Sequence, residues 1–207
     1  RVRDRCERGG SGNVYVLRGN QRDWEDLAVV PGPTPGSGTI YAADIGDNGA
    51  LRSEIQVYRV AEPVVPLTGP PATTTLTSIE TLRFTYPDGA HDAEAVIVDP
   101  VSGDLTIVTK SFFSGAQDVY SAPAGLPADS TTVLAKIGQV KLDPGFLSAV
   151  TGADITADGT TIAIRTYGGV KLYHRTIPTT VANALIAPIG PCSVSVPNEL
   201  QGEAIGF

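Results

Sequence analysis

The chain has 207 residues, of which 18% are charged, and its formal net charge is −7. A chain of this length can bury a substantial core and suits a single domain. No cluster of Lys or Arg is present, so we expect no nucleic-acid partner and no docking of a basic face on an anionic membrane. No apolar run approaches the roughly 20 residues that cross a bilayer, so membrane insertion is not expected.

Short strand-like segments follow one another along the chain, with turn signals between them. Gly contributes 23 residues and Pro 16, which is typical of a turn-rich β protein. Asp-Gly at 88–89 and 158–159 supplies the positive φ that tight hairpins require. Only 179–187 has weak helical character. The predicted strands, in chain order, are 13–18, 26–30, 39–45, 55–60, 81–86, 94–99, 105–110, 118–122, 133–142, 153–156, 161–167 and 170–176.

An acidic residue recurs at the start of an apolar strand. Glu25, Glu94, Asp154 and Glu203 open such strands, at intervals of 69, 60 and 49 residues. A second apolar strand and then a third follow the acid-bearing strand. Units of about 40–50 residues with four antiparallel strands are typical of β-propeller blades. A β-sandwich would have similar strand spacing, but it gives no reason for an acid to recur at one strand position.

The predicted fold is therefore all-β, a β-propeller of four-stranded antiparallel blades. We expect one domain over residues 1–207. Its repeated units are placed near 13–60, 81–122, 133–176 and 192–207.

Four segments of the chain resemble a known family. They are QRDWEDLAVVPGP (21–33), YAADIGDNGALRSEIQVYRVAEP (41–63), FTYPDGAHDAEAVIVDPVSGDLTIVTK (84–110) and QGEAIGF (201–207). These segments resemble secreted bacterial β-propeller proteins of the actinobacterial type, of mostly unassigned function, which are related at fold level to TolB-like and phytase-like propellers. The resemblance implies a secreted, extracellular or periplasmic location.

The resemblance also implies a partial ring, with about three to four of six or seven blades in this chain. The chain contains no Met, and Phe207 falls inside a predicted inner strand. We therefore expect it to be incomplete at both ends. Missing blades, from the same chain or another, would be needed to close the ring, since open sheet edges favour aggregation.

The four recurring acids are expected to meet in an acidic central funnel if the inner strands converge. Neighbouring strand ends would add Asp44, Asp47, Lys110 and Arg165. Crowded carboxylates repel one another, and either an ion network through Lys110 and Arg165 or a bound Ca²⁺ would compensate them. A third interpretation is that each acid bonds backbone N–H groups of its own blade. The candidate Ca²⁺ ligands are Glu25, Asp44, Asp47, Glu94, Asp154 and Glu203.

Four further residues are candidates for special roles. Trp24, the only Trp, could line a ligand pocket or pack between blades. His91 lies three residues before Glu94 and could act as a general base or ligand, or make only a structural hydrogen bond. Cys6 and Cys192 could form one disulfide in an oxidising compartment, or remain two separate buried thiols.

The sequence contains no GxSxG elbow, P-loop, GxGxxG, HExxH or paired CxxC motif. It therefore favours an extracytoplasmic binding or scaffold module whose acidic funnel or loops hold Ca²⁺, a small ligand or another protein. The alternative is a Ca²⁺-dependent hydrolase of the lactonase, esterase or phosphoesterase type. In that case the metal would polarise the substrate, and His91 or a carboxylate would handle the proton.

Overall fold

The structure, a computed structural model, describes residues 13–66, 68–196, 199 and 202–207. Over these residues it contains fifteen β-strands, one short α-helix, α1 (Val181–Leu185), and a 3₁₀ turn at Phe146–Ser148. The prediction of an all-β fold is confirmed. The strands are β1 (Val14–Val16), β2 (Trp24–Pro31), β3 (Gly38–Asp44), β4 (Ile55–Ala61), β5 (Thr73–Thr75), β6 (Glu80–Thr85), β7 (Ala93–Val98), β8 (Leu105–Thr109), β9 (Ala116–Ala122), β10 (Thr131–Val133), β11 (Ala135–Lys141), β12 (Val150–Ile155), β13 (Thr161–Thr166), β14 (Gly169–His174) and β15 (Cys192–Val194).

The strands form three larger sheets and one small one. The first sheet has the order β10-β6-β4-β3-β2, the second β11-β9-β8-β7, and the third β12-β13-β14-β15. Pairing is antiparallel in these sheets except between β10 and β6. Strands β1 and β5 form a separate parallel pair. None of these sheets closes on itself.

The second sheet packs between the other two. One core cluster joins it to the first sheet and includes Phe84 and Ile107, and another joins it to the third sheet and includes Ile97 and Ile164. Strands β7 and β8 are consequently buried on both faces. This explains why their sequences are largely apolar and lack a strict alternation of apolar and polar residues.

The first strands of the three sheets, β2, β7 and β12, lie together in space. Asp26 of β2 joins them, because its Oδ2 accepts hydrogen bonds from the backbone N–H groups of Val96 (2.9 Å) and Ala153 (3.1 Å). Its Oδ1 accepts a bond from the N–H of Leu27 at 2.8 Å. Burial raises the pKa of Asp26 to about 7, against the lowering effect of these N–H donors. The first strands of the three sheets therefore converge on the carboxyl group of Asp26.

The predicted strand positions are confirmed, but the sheets begin one strand later than the predicted units. Strands β6 and β11 pair antiparallel with β4 and β9 and so complete the sheets before them. The acid-bearing strand opens each of the first two sheets, since β7 pairs with β8 and with no strand of the preceding sheet. Strands β5 and β15 were not predicted, and the single strand predicted over 133–142 is divided into β10 and β11, which lie in different sheets. The weak helical signal at 179–187 is confirmed by α1, whose first turn is capped by Thr180.

No helix in the described part of the chain is long and apolar enough to cross a bilayer.

Candidate functional site

Glu25 and Glu94 occupy the same position in their sheets. Trp24 pairs with Asp44, and Asp26 pairs with the adjacent Ala43. Glu25 therefore has no partner in β3 and is an extra residue in β2. Strand β7 has the same irregularity at Glu94, between Ala93 and Ala95. A β-bulge of this kind re-aims a side chain and is common beside functional sites. The two acids are therefore delivered by one repeated backbone device.

The third sheet has its bulge at Thr151, between Val150 and Gly152. Thr151 is therefore the structural equivalent of Glu25 and Glu94, and the predicted equivalence of Asp154 is wrong. Asp154 lies three residues further along β12, where its Oδ2 accepts a hydrogen bond from the N–H of Phe207 at 2.8 Å. The sequence pattern misplaced it because β12 begins at Val150, four residues before the acid.

Residues 202–207 lie alongside β12. The hydroxyl of Thr151 donates to the carbonyl oxygen of Gly202 at 2.7 Å, and a Cβ on Gly152 would lie 2.6 Å from the carbonyl oxygen of Glu203. The side chain of Glu203 is exposed. Residues 202–207 thus form a fourth segment in the series after β2, β7 and β12, but Glu203 does not lie with Glu25 and Glu94.

The carboxyl groups of Glu25 and Glu94 are close neighbours across the boundary between the first and second sheets, and each influences the pKa of the other. Glu94 Oε1 also accepts a bond from Lys110 Nζ at 2.6 Å, and both of these side chains are buried. Glu25 has no cationic partner in the described part of the chain. Burial and the neighbouring Glu94 raise the pKa of Glu25 to about 9. The pair therefore holds a proton at neutral pH.

Lys110 compensates only one member of the pair. Burial lowers its pKa, but the interactions with Glu94 and Tyr167 together outweigh this effect and raise the pKa to about 12. The Nζ atom also lies over the rings of Phe112 (5.3 Å) and Tyr167 (5.2 Å). The pKa of Glu94 is nevertheless raised, because burial outweighs the influence of Lys110.

Asp23 and Asp92 add two more carboxyl groups. Burial raises the pKa of Asp92, although its Oδ1 accepts a bond from the N–H of Asp47 at 2.7 Å. Both residues stand two positions before a bulge acid, in the matching tripeptides Asp-Trp-Glu (23–25) and Asp-Ala-Glu (92–94). This repeated D-x-E spacing is a signal from which the sequence analysis could have identified them.

Asp44 and Asp47 serve the loop that covers the pair. Asp44 is fully buried and accepts bonds from the N–H groups of Arg22 (3.0 Å) and Asp23 (2.8 Å) and from Arg52 Nη1 (3.0 Å). Asp47 Oδ2 accepts a bond from the N–H of Arg52 at 2.7 Å. Both carboxylates thus have hydrogen-bond partners that hold this loop in place.

The loop passes very close to the acids at Gly46. A Cβ added there would contact Glu25 Oε1 and would lie 2.7 Å from the Asp23 carboxyl group. Glycine is required at this position for the close approach of backbone and carboxyl groups.

The other predicted site residues lie apart from the pair or have structural partners. Arg165 is buried and its Nη2 bonds Glu199 at 2.8 Å, so it does not neutralise Glu25. Trp24 packs on Tyr58 with ring centroids 5.3 Å apart. Cys192 is exposed with a free thiol. Cys6 lies outside the described residues, so the disulfide remains a prediction.

A polar cavity of about 400 Å³ opens beside Lys110. Its volume lies within the range of about 300–1,000 Å³ typical of small-molecule sites. Asp47, Asp92, His91 and Ser111 are among its lining residues. His91 Nε2 lies 3.1 Å from Asp88 Oδ1 and 2.9 Å from the Tyr120 hydroxyl. These contacts agree with the prediction that His91 makes a structural hydrogen bond.

Predicted Ca²⁺ ligands are only partly brought together. In the described portion of the molecule, no three of the six predicted acids place their oxygens within 4.8 Å of one another. Glu25 and Glu94 lie together, and Asp44 and Asp47 bond the loop. Asp154 lies in β12, and Glu203 lies beside this strand.

No protein-family model matches the chain, and no curated protein matches it either.

Proposed function

We propose that the chain is an extracytoplasmic β-propeller module in which the three larger sheets are consecutive blades. Two observations support this proposal. The first strands of these sheets lie together at one place, and residues 202–207 extend the series beside β12. On this interpretation the bulge acids face a central funnel, and the module acts by binding or scaffolding.

We further propose that the funnel binds a small cation, with Ca²⁺ as the best candidate. The observation that carries this proposal is the neighbouring pair of Glu25 and Glu94, which Lys110 compensates only in part. Asp23 and Asp92 add negative charge around the pair. Two ionised carboxylates that are close together and partly buried repel each other and lower the stability of the fold, unless a cation neutralises them. A cation that displaces the shared proton would remove this cost.

The donor atoms fit a hard cation. Every uncommitted group at the pair is a carboxyl oxygen, and Ca²⁺ prefers six to eight oxygen ligands. Glu25 and Glu94 would hold the ion, and Asp23 and Asp92 would add to its electrostatic attraction. Because the protein supplies few direct ligands, we expect an affinity in the range of about 10⁻⁴–10⁻³ M that is typical of extracellular modules.

Thermal melting with and without Ca²⁺ tests the proposal. At about 10 mM Ca²⁺, a site with a Kd of about 1 mM should raise the Tm by about 3–5 °C. Glu25→Gln and Glu94→Gln should abolish this shift, whereas Glu62→Gln, which changes an exposed carboxylate outside the cluster, should retain it. A shift of equal size in all the variants, or no shift in the unmodified protein, would contradict calcium binding at the pair.

A Ca²⁺-dependent hydrolase is the second candidate, because the polar cavity beside Lys110 is large enough for a small substrate. Binding is favoured over catalysis, since the sequence contains no GxSxG, HExxH or other hydrolase motif. Turnover of aryl esters, lactones and phosphate esters with and without Ca²⁺ separates the two functions. Metal-dependent turnover that is lost in Glu94→Gln would reverse the ranking.

A further inference from the structure

A second group of potential metal ligands joins the connection between the first and second sheets to β9. Asp88 lies in the turn after β6, His91 in the segment that leads into β7, and Asp118 in β9. One ligand atom from each lies within 4.8 Å of the other two. In the part of the chain that the structure describes, this is the one trio of His, Cys, Asp or Glu side chains with such spacing.

We propose that Asp88, His91 and Asp118 bind Zn²⁺. The set offers one imidazole nitrogen and two carboxylate oxygens, which Zn²⁺ accepts at three-ligand sites with an open fourth position. Imidazole distinguishes this set from the all-oxygen environment of Glu25 and Glu94, since nitrogen ligands favour Zn²⁺ over Ca²⁺. The cavity of about 400 Å³ is lined by His91 and Asp118 and could admit the ion and its fourth ligand.

Groups around the trio already hold its side chains in position. The Tyr120 hydroxyl donates to Asp88 at 2.9 and 3.1 Å, and Gln139 Nε2 donates to Asp118 Oδ1 at 2.8 Å. Such outer contacts orient ligands before the ion arrives. The ring of Tyr86 packs edge-on against His91, with centroids 5.0 Å apart, and its buried hydroxyl lacks a hydrogen-bond partner in the structure. A polar group therefore remains unsatisfied beside the trio.

Lys136 forms ion pairs with both carboxylates of the trio. Its Nζ lies 2.7 Å from Asp88 Oδ2 and 2.9 Å from Asp118 Oδ2. Its side chain is 36% exposed, so it can swing into solvent when the ion binds. Exposed ion pairs contribute little to stability, and their loss should weaken Zn²⁺ binding by about fivefold at most.

The test is calorimetric titration of tag-free protein with Zn²⁺, supported by the visible absorption of Co²⁺ as a spectroscopic substitute. His91→Ala and Asp118→Asn should each weaken binding by about tenfold or more. Lys136→Met should strengthen it by about fivefold, because the competing ammonium is gone. His174→Ala, which removes the other histidine on an exposed position of β14, should leave the Kd unchanged. Circular dichroism confirms that each variant folds.

Several results would overturn the proposal. Equal Zn²⁺ affinity in the unmodified protein and in His91→Ala would place the ion elsewhere. Weaker binding in Lys136→Met would mean that the ammonium supports the site and does not compete for it. Loss of binding in Glu94→Gln with retention in His91→Ala would assign Zn²⁺ to the acid pair, which leaves the Ca²⁺ proposal to be judged by its own melting experiment.

Discussion

Glu25→Gln tests the protonation of the acid pair most directly. In the folded protein the pKa of Glu25 is about 9, above its ordinary value of 4.5. For a carboxyl group whose pKa is raised by folding, the associated stability is fully present below pH 4.5 and is lost as the pH rises towards 9. Gln has the shape of the protonated acid and can still donate to Glu94, but it does not titrate. The substitution should therefore remove this pH dependence.

The size of the effect follows from the shift in pKa. At pH 7 the unfolded carboxyl group is ionised while the folded one is protonated, so the full shift would correspond to a loss of about 3.4 kcal/mol relative to pH 4.5. Because Glu25 is only partly buried, solvent screens part of this interaction, and we expect Glu25→Gln to stabilise the metal-free protein by about 2 kcal/mol at pH 7. At pH 4 the two proteins should be equally stable.

Urea unfolding at pH 4, 5.5, 7 and 8.5, in the presence of a chelator, measures this difference. Glu62→Gln serves as the matched control, since it removes an exposed carboxylate of the same type. An advantage of Glu25→Gln that is independent of pH, or a growing disadvantage at high pH, would refute the reasoning. Either result would mean that both acids of the pair are ionised and compensated.

Two further predictions concern carboxylates that support the core. Asp26→Ala should lower the free energy of unfolding by about 2–4 kcal/mol in urea titrations, because the N–H groups of Val96 and Ala153 lose their acceptor. Asp26→Asn retains an acceptor oxygen and should lower it less. An equal loss of stability in the two variants would contradict this role of Asp26. Arg175→Met should cost about 3–5 kcal/mol at pH 7, since it leaves the buried Asp99 unpaired. Burial raises the pKa of Asp99, but its bonds, chiefly that to Arg175, outweigh this effect and lower the pKa below 3.8. The loss of stability should therefore shrink as the pH falls below 3.8. A loss that stays unchanged down to about pH 2 would argue against the ion pair.

The sequence predicted the strands well because local patterns determine them. The runs at 94–99 and 105–110 are apolar and end at turn residues, and they became β7 and β8. Recurrence of an acid at the start of such runs also identified Glu25 and Glu94 as neighbours, although 69 residues separate them. Both inferences rest on features that each strand carries in its own sequence.

Strand register could not be predicted in the same way. Asp154 opens an apolar run in sequence, but the bulge of β12 falls at Thr151 because pairing with β13 places it there. The partners of Asp44 were also hidden, since Arg52 reaches it only after the loop folds back. Lys136 and Asp118 become neighbours through the pairing of β11 with β9, a contact that no local pattern encodes.

The bonds of Asp26 have a consequence for the order of folding. They join residues 70 and 127 positions apart in the chain, so both can form only after long loops have closed. Contacts of this range slow folding and tend to be made late. We therefore expect the three sheets to become mutually dependent in the last step, so that they melt in one transition and a truncated version ending before β12 loses cooperativity.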